Sequence, residues 1–153
     1  MTHARNLVFT ALFLCMAVCT AHAELFGDYV SYKACIDCHP DIVSSWKKTP
    51  HAHAFATLKE QGEEKQTTPG CVRCHVVDMD GDGGFIDMEL TPELADVQCE
   101  SCHGAGLAHV ESQAAEDIVG KPNEAVCRTC HTKGQDKNFD FKTKSQLVHK
   151  LEQ

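Results

Sequence analysis

Aromatic residues are scarce in this sequence, at 7% of 153 residues, and basic residues are outnumbered, with 14 Lys and Arg against 22 Asp and Glu. A formal net charge of −8 argues against nucleic acid or an anionic membrane surface as the partner. No stretch after residue 23 approaches membrane-spanning length. The sequence also has no Ser-His-Asp arrangement, glycine-rich phosphate loop or paired-carboxylate signature. These absences leave little support for hydrolytic or nucleotide-dependent chemistry.

Residues 1–23 have the features of a secretory signal peptide. A weakly basic start precedes an apolar run over residues 7–18, and Ala21 and Ala23 are small residues at the two positions that a signal peptidase reads. The run is too short and wrongly flanked for a permanent membrane span. We therefore expect a signal peptide at 1–23, one domain at 24–153, and export to the periplasm or beyond the cell.

Cleavage after Ala23 would make the chain slightly more acidic. The removed segment contains one arginine and no acidic residue, so the remaining 130 residues carry a net charge of −9. Lipidation instead of cleavage would need a small residue before Cys15 or Cys19, where the sequence has Leu14 and Val18.

All eight cysteines beyond residue 23 fall into four copies of the pattern C-x-x-C-H. Two thiols at this spacing lie on one short turn, from which they form thioethers to the two vinyl groups of a single porphyrin. The following histidine then reaches the iron as the proximal ligand. We predict four covalently bound haem c groups attached to Cys35, Cys38, Cys71, Cys74, Cys99, Cys102, Cys127 and Cys130, with proximal ligands His39, His75, His103 and His131.

Zinc sites and redox-active dithiols also use C-x-x-C, but neither needs a histidine immediately after the second cysteine. If histidine occupied each such position at roughly one in twenty, four of them would arise by chance about once in 10⁵ sequences. A disulfide framework would not repeat one tight spacing four times. Covalent haem is therefore the interpretation that accounts for the repeats.

Four cofactors leave about 33 residues for each haem, too few for four separate helical domains or for a core of side chains alone. We expect a single, mainly α multihaem domain with long irregular segments, wrapped around four stacked haems. Short helices should begin at Pro40, Pro50 and Pro92, whereas residues 62–70 and 120–123 should form loops.

Four further histidines remain, as many as the proximal ones. This count matches bis-histidine coordination of every iron, which leaves no iron position for a substrate and suits electron transfer. A surface or core role is the alternative for each of them. The candidates are His51, His53, His109 and His149.

Three blocks of sequence resemble one known family: residues 34–52, residues 71–85, and residues 97–106, which include CESCHGAG. They are similar to the tetrahaem cytochrome c family typified by the tetrahaem cytochrome of ammonia oxidisers that accepts electrons from hydroxylamine oxidoreductase. The resemblance extends from about residue 34 to 149. It implies closely paired haems, with three bis-histidine irons and one five-coordinate iron.

By position, the resemblance implies distal ligation by His51, His109 and His149. His53 is a departure, because the family has a non-ligating residue there. Histidines two residues apart project about 200° from each other on a helix, so His51 and His53 could serve only different haems. We expect His53 to ligate the haem of His75, which would otherwise be the open site.

An acidic segment follows the second motif and fits the calcium-loop pattern D-x-D-x-D-G-x₅-E. Its candidate calcium ligands are Asp78, Asp80, Asp82 and Glu89. The segment leaves little room for the helices that flank such loops, so a solvated acidic hairpin is the alternative.

The pattern as a whole predicts an exported electron carrier whose partners are other redox proteins, contacted through their basic patches. Two alternatives remain open: reduction of nitric oxide or another small ligand at one five-coordinate haem, and a subunit of a larger haem assembly.

Overall fold

The computed structural model describes residues 28–149, so the expected signal peptide lies outside the described residues. This part of the chain forms eight short α-helices: α1 (Pro40–Trp46), α2 (Ala54–Glu60), α3 (Glu63–Thr67), α4 (Pro69–Val72), α5 (Glu100–His103), α6 (Leu107–Ser112), α7 (Glu124–Arg128) and α8 (Phe141–Lys144). Single turns of 3₁₀ helix cover Tyr32–Cys35, Pro50–His53, Pro92–Leu94, Ala115–Asp117 and Ser145–Leu147.

Between residues 28 and 149 the chain contains no β-strand; its one β-bridge is antiparallel and joins Val76 to Ala95. The same residues include no helix long and apolar enough to cross a membrane. The predicted mainly α class with irregular segments is confirmed.

Proline starts helices where the sequence predicted them. Helix α1 begins at Pro40, and 3₁₀ turns begin at Pro50 and Pro92. Proline suits the first position of a helix because that residue needs no backbone N–H donor. The predicted break at 120–123 is also confirmed, since no helix covers those residues.

The loop predicted at residues 62–70 is wrong, because α3 and the first two residues of α4 lie there. Gly62, with φ of 106°, turns the chain into α3, and two glutamates occupy the first turn of that helix, where the helix dipole favours negative charge. Pro69 then begins α4 after Thr68, whose backbone is extended. Two short helices separated by a single extended residue therefore replace the loop.

The buried apolar side chains form two small clusters in the first two thirds of the described chain. One contains Phe55, Leu58, Val72, Val76, Val77, Phe85 and Leu94, and the other contains Val43, Trp46 and Ala52. Between residues 104 and 149 the only buried hydrophobic side chain is Phe139. That part of the chain has too little apolar burial to fold around side chains alone.

Hydrogen bonds hold the first two helices against the segment that leads into the third C-x-x-C-H motif. The Trp46 indole N–H donates to the Val97 carbonyl (3.0 Å), and the Val97 N–H donates to the His51 carbonyl (3.1 Å). The Phe55 N–H donates to the Asp96 carboxylate (2.8 Å). These bonds bring the first and third motifs close together although 59 residues separate them along the chain.

Candidate haem-binding site

Each C-x-x-C-H motif forms about one turn of helix. The backbone N–H groups of His39, His103 and His131 each donate to the carbonyl of the first cysteine of their motif, at 2.9 Å. In the second motif the N–H of His75 donates to Val72 instead, at 2.7 Å. A single turn thus presents two thiols and one imidazole together. The eight cysteines of the four motifs are free thiols, which excludes a disulfide framework among them.

Thiols of different motifs lie in contact. A hydrogen bond with Cys99 lowers the pKa of Cys35, and the same bond, followed by burial, raises the pKa of Cys99. Burial, helped by a hydrogen bond with Cys130, raises the pKa of Cys74 to about 11. The fold therefore places the first motif beside the third and the second beside the fourth.

The third and fourth motifs are also near each other. Burial, helped by the neighbouring thiols of Cys127 and Cys130, raises the pKa of Cys102 to about 11. The thiol is therefore neutral at pH 7. Two thiol–thiol contacts and this third proximity join all four attachment sites into one continuous cluster.

The histidines form three facing pairs. The ring centres of His39 and His109 are 6.4 Å apart, with an angle of 15° between the planes. The rings of His103 and His149 are 6.2 Å apart at 33°. The rings of His51 and His131 are 6.0 Å apart at 67°. Each pair joins the histidine of one C-x-x-C-H motif to one of the histidines outside the motifs.

These separations match two imidazoles on opposite sides of one metal. A metal–imidazole bond is about 2.0–2.1 Å long and the ring centre lies about 1 Å beyond the nitrogen, so two such rings have centres about 6 Å apart. Direct ring stacking would bring the centres of parallel rings closer together. The residues present therefore fit a haem iron between the members of each pair.

A partly open cleft lies at the third motif. Ile42, Trp46, Val97 and Val148 supply apolar walls, and the cleft also reaches Cys99, Cys102, His103 and His149. Apolar walls, two thiols on one turn and two opposed imidazoles are the groups that a covalently attached porphyrin requires.

Hydrogen bonds at Nδ1 determine which ring nitrogen of a neutral imidazole can bind a metal. The Nδ1 atoms of His75, His103 and His109 contact the carbonyl oxygens of Ala54, Val119 and Ala114, at 2.6, 2.6 and 2.8 Å. A carbonyl only accepts, so Nδ1 carries the proton and the lone pair is left on Nε2. Metal-ligating histidines usually have such a partner.

The fourth motif differs in this respect, because Nδ1 of His131 contacts the carboxylate of Asp136 at 3.1 Å. Asp136 was not among the predicted site residues, and no sequence pattern marks it. Burial, helped by His131, lowers the pKa of His51. At neutral pH His51 is therefore an uncharged imidazole, the form that binds iron.

His53, the other candidate distal ligand, has a different hydrogen-bond partner from the paired histidines. Its Nε2 contacts the Lys47 carbonyl at 3.1 Å, so Nε2 carries the proton and has no lone pair for a metal. The side chain is exposed. His75 has no facing histidine among residues 28–149, unlike the other three motif histidines.

Glu100, inside the third motif, is a buried residue that sequence reasoning missed. Its carboxylate is only 3% exposed and accepts three backbone N–H bonds, from Val30 (2.9 Å), Ser31 (2.8 Å) and Gly106 (2.8 Å). These charge-assisted bonds tie the third motif to the chain just before the first. An acid between two haem cysteines is visible in the sequence, but two of its three donors come from a segment about 70 residues away.

The four candidate calcium ligands of the acidic segment are not gathered into one cluster in the described part of the chain. No group of three or more potential metal ligands of this type occurs among residues 28–149. The Asp78 carboxylate accepts a bond from Tyr29, and Asp80 pairs with Arg73 at 3.3 Å. No helix lies between α4 and the 3₁₀ turn at Pro92, so the paired helices that support a calcium loop are missing there.

Comparisons with known proteins agree on one relationship. The family model described as cytochrome c554 and c-prime matches residues 34–104. The chain is 33% identical over 167 residues to cytochrome c-554 of Nitrosomonas europaea, covering 95% of this chain and 67% of that protein. It is also similar to the solved structure of reduced cytochrome c554 from the same organism, with a TM-score of 0.53, 26% identity, and coverage of 82% and 85% of the two chains.

Proposed function

The chain belongs to the cytochrome c554 and c-prime family, and we propose that it carries single electrons between redox proteins through four covalently attached haems. As a member of that family it is a c-type cytochrome with covalently bound haem, and it takes part in electron transfer. When bound, each haem accepts and releases one electron at its iron.

The observation that carries the proposal is the set of three imidazole pairs at 6.0–6.4 Å. His39 with His109, His103 with His149, and His51 with His131 would each saturate one iron. A six-coordinate iron has no position for a substrate, so these three sites suit electron transfer rather than catalysis.

The contacts between motifs support a continuous electron path. Cys35 touches Cys99, Cys102 lies near Cys127 and Cys130, and Cys130 touches Cys74. Porphyrins attached at these thiols would therefore lie in the order first, third, fourth, second. An electron entering at the first motif would reach the second by way of the other two.

A second candidate function is supported by the environment of His75. Its Nδ1–H donates to Ala54, so Nε2 is available to iron, but no histidine of the described chain faces it. We propose that the haem of Cys71 and Cys74 is five-coordinate and binds a small ligand such as nitric oxide. A reductase activity at this iron is therefore the alternative to a pure carrier.

We further propose that the protein is exported and docks through its acidic surface. The signal peptide expected at 1–23 supports export to the periplasm or the cell exterior. A net charge of −9 on the remaining residues favours redox partners with basic patches.

The haem content tests this proposal. Mature protein made with a haem-ligation system should, when denatured, be heavier than its apo chain by four haems. The double variant Cys99→Ala/Cys102→Ala should carry three, because both thioethers of one haem are removed. Cys19→Ala, within the expected signal segment, should leave four. Fewer than four haems in the wild type, or haem extracted into acidified solvent, would refute the proposal.

A further inference from the structure

We propose that Asp136 is a positioning residue that orients the His131 imidazole and lowers the reduction potential of the haem attached at Cys127 and Cys130. The inference rests on the proposed function in one respect, namely that His131 is an iron ligand. It goes beyond that function because it assigns a specific role to a residue outside the attachment motifs and the ligand pairs.

A tight turn brings the carboxylate back to the ring that precedes it. The N–H of Asp136 donates to the Thr132 carbonyl at 2.8 Å, and that of Gln135 donates to the same carbonyl at 3.1 Å. The turn sets Oδ2 of Asp136 3.1 Å from Nδ1 of His131, with both side chains about one third exposed. The contact is therefore partly shielded from water, where such a bond keeps more of its strength.

The other contacts of this ring oppose its rotation. Phe139 stacks on the His131 ring, with centres 4.6 Å apart and planes at 24°. The Arg128 guanidinium covers the Phe139 ring at 4.6 Å and donates to the Phe139 carbonyl at 3.1 Å. Phe139 thus packs against the face of the imidazole ring, while Asp136 contacts the Nδ1 atom at its edge.

The orientation that results differs from those of the other two pairs. The His131 plane lies at 67° to that of its partner His51, against 15° and 33° for the other pairs. Near-perpendicular axial imidazoles give a low-spin ferric haem a strongly anisotropic EPR signal, whereas near-parallel ones give a rhombic signal. The ring that Asp136 holds therefore has its own spectroscopic signature.

The carboxylate also changes the electron donation of the ligand. A carboxylate partner at Nδ1 makes the imidazole more basic than a carbonyl partner does, and a more basic ligand stabilises ferric over ferrous iron. His75, His103 and His109 have carbonyl partners instead. The Arg128 guanidinium, which also donates to the His131 carbonyl at 3.3 Å, opposes the effect, but Glu124 pairs with it at 3.0 Å and offsets its charge.

The test uses the complete four-haem protein and the variant Asp136→Asn, in a redox titration followed by EPR. For the haem that gives the anisotropic signal, the reduction equilibrium should shift about tenfold toward the ferrous form. Its midpoint potential should therefore rise by about 59 mV for a one-electron couple. Its g-values should also change as the ring is released. The midpoint potentials and g-values of the other low-spin signals should not change. Asp136→Glu, which retains a carboxylate, should shift the midpoint less than Asp136→Asn.

Glu124→Gln is the matched control, since it removes one negative charge from the same cluster without touching the imidazole. It should leave the g-values unchanged and move the midpoint less than Asp136→Asn does. If Asp136→Asn retains four haems and its midpoint potential and g-values are the same as in the wild type, the inference is overturned. An equal midpoint shift in Glu124→Gln would also overturn it. Missing haems in the wild type would instead refute the proposed function.

Discussion

His51 and His53 are separated by one residue but have different chemical states. Burial keeps the His51 ring uncharged, and that ring faces His131. His53 is exposed and its Nε2 donates to the Lys47 carbonyl. The sequence made both histidines candidates for distal iron ligands, because their spacing does not show which ring nitrogen carries the proton. For His53, the backbone carbonyl of Lys47, six residues earlier, determines that Nε2 carries the proton.

A ligand-binding experiment tests this difference. Reduced wild-type protein should bind carbon monoxide at one haem, the one attached at Cys71 and Cys74, because His75 has no facing histidine. His53→Ala should bind the same amount at the same rate. The measurement is an optical titration at limiting carbon monoxide.

His51→Ala provides the control for this titration, since it removes one of the paired imidazoles. It should raise the binding stoichiometry from one to about two, as a second iron loses its distal ligand. Carbon monoxide binding that occurs only in His53→Ala would place His53 on an iron and contradict the five-coordinate site.

The segment between α4 and α5, residues 73–99, contains no α-helix, but backbone hydrogen bonds and apolar packing fix its conformation. The N–H of Val77 donates to Leu94 (2.9 Å) and that of Phe85 donates to Val77 (2.8 Å). Four of the seven side chains of the larger apolar cluster belong to this segment: Val76, Val77, Phe85 and Leu94. Close backbone approach at Gly84 allows this fold-back, because any Cβ there would collide with the Asp78 carbonyl.

Gly84→Ala should therefore destabilise the protein by about 1–3 kcal/mol, the usual cost of overpacking a site that cannot relax. Urea unfolding of the haem-loaded protein, followed by far-UV circular dichroism, measures the change. Gly120→Ala is the control, because a Cβ at Gly120 meets nothing within 4 Å. Its effect should stay within about 0.5 kcal/mol. Equal stability of the two variants would show that the segment does not need this approach.

Across the whole molecule, charge is distributed unevenly. Residues 76–98 contain seven acidic residues and no Lys or Arg, whereas residues 132–149 contain four lysines and two aspartates. Several of these acids, including Asp82 and Glu89, are exposed. The acidic segment directly follows the second motif, at one end of the proposed haem order. A basic partner would therefore approach that end preferentially.

Electron transfer to a small basic cytochrome c should consequently slow as ionic strength rises, because salt screens charges beyond about 10 Å at 0.1 M. The double variant Asp82→Asn/Glu89→Gln should lower the low-salt rate about two- to tenfold and flatten its salt dependence. Stopped-flow spectroscopy measures both effects.

Glu63→Gln/Glu111→Gln removes the same net charge from exposed positions outside that segment and serves as the control for the salt experiment. It should change the low-salt rate less than the Asp82/Glu89 pair does. A rate that is indifferent to salt in the wild type would show that the acidic surface is not the docking face.

The sequence by itself determined what depends on local spacing. Two cysteines and a histidine on one turn are a local arrangement, so four C-x-x-C-H copies were enough to predict the cofactor type, and prolines were enough to predict three helix starts. The tertiary structure alone decided which histidines face each other, that Nε2 of His53 is already engaged, and that Glu100 and Asp136 meet their partners. Those outcomes depend on chain segments far apart in sequence, or on a turn without a pattern of its own. The calcium-loop pattern is another case in which spacing does not reveal partners. The spacing of its ligands is visible in the sequence, but the contacts of two of its carboxylates with Tyr29 and Arg73 arise only in the folded chain.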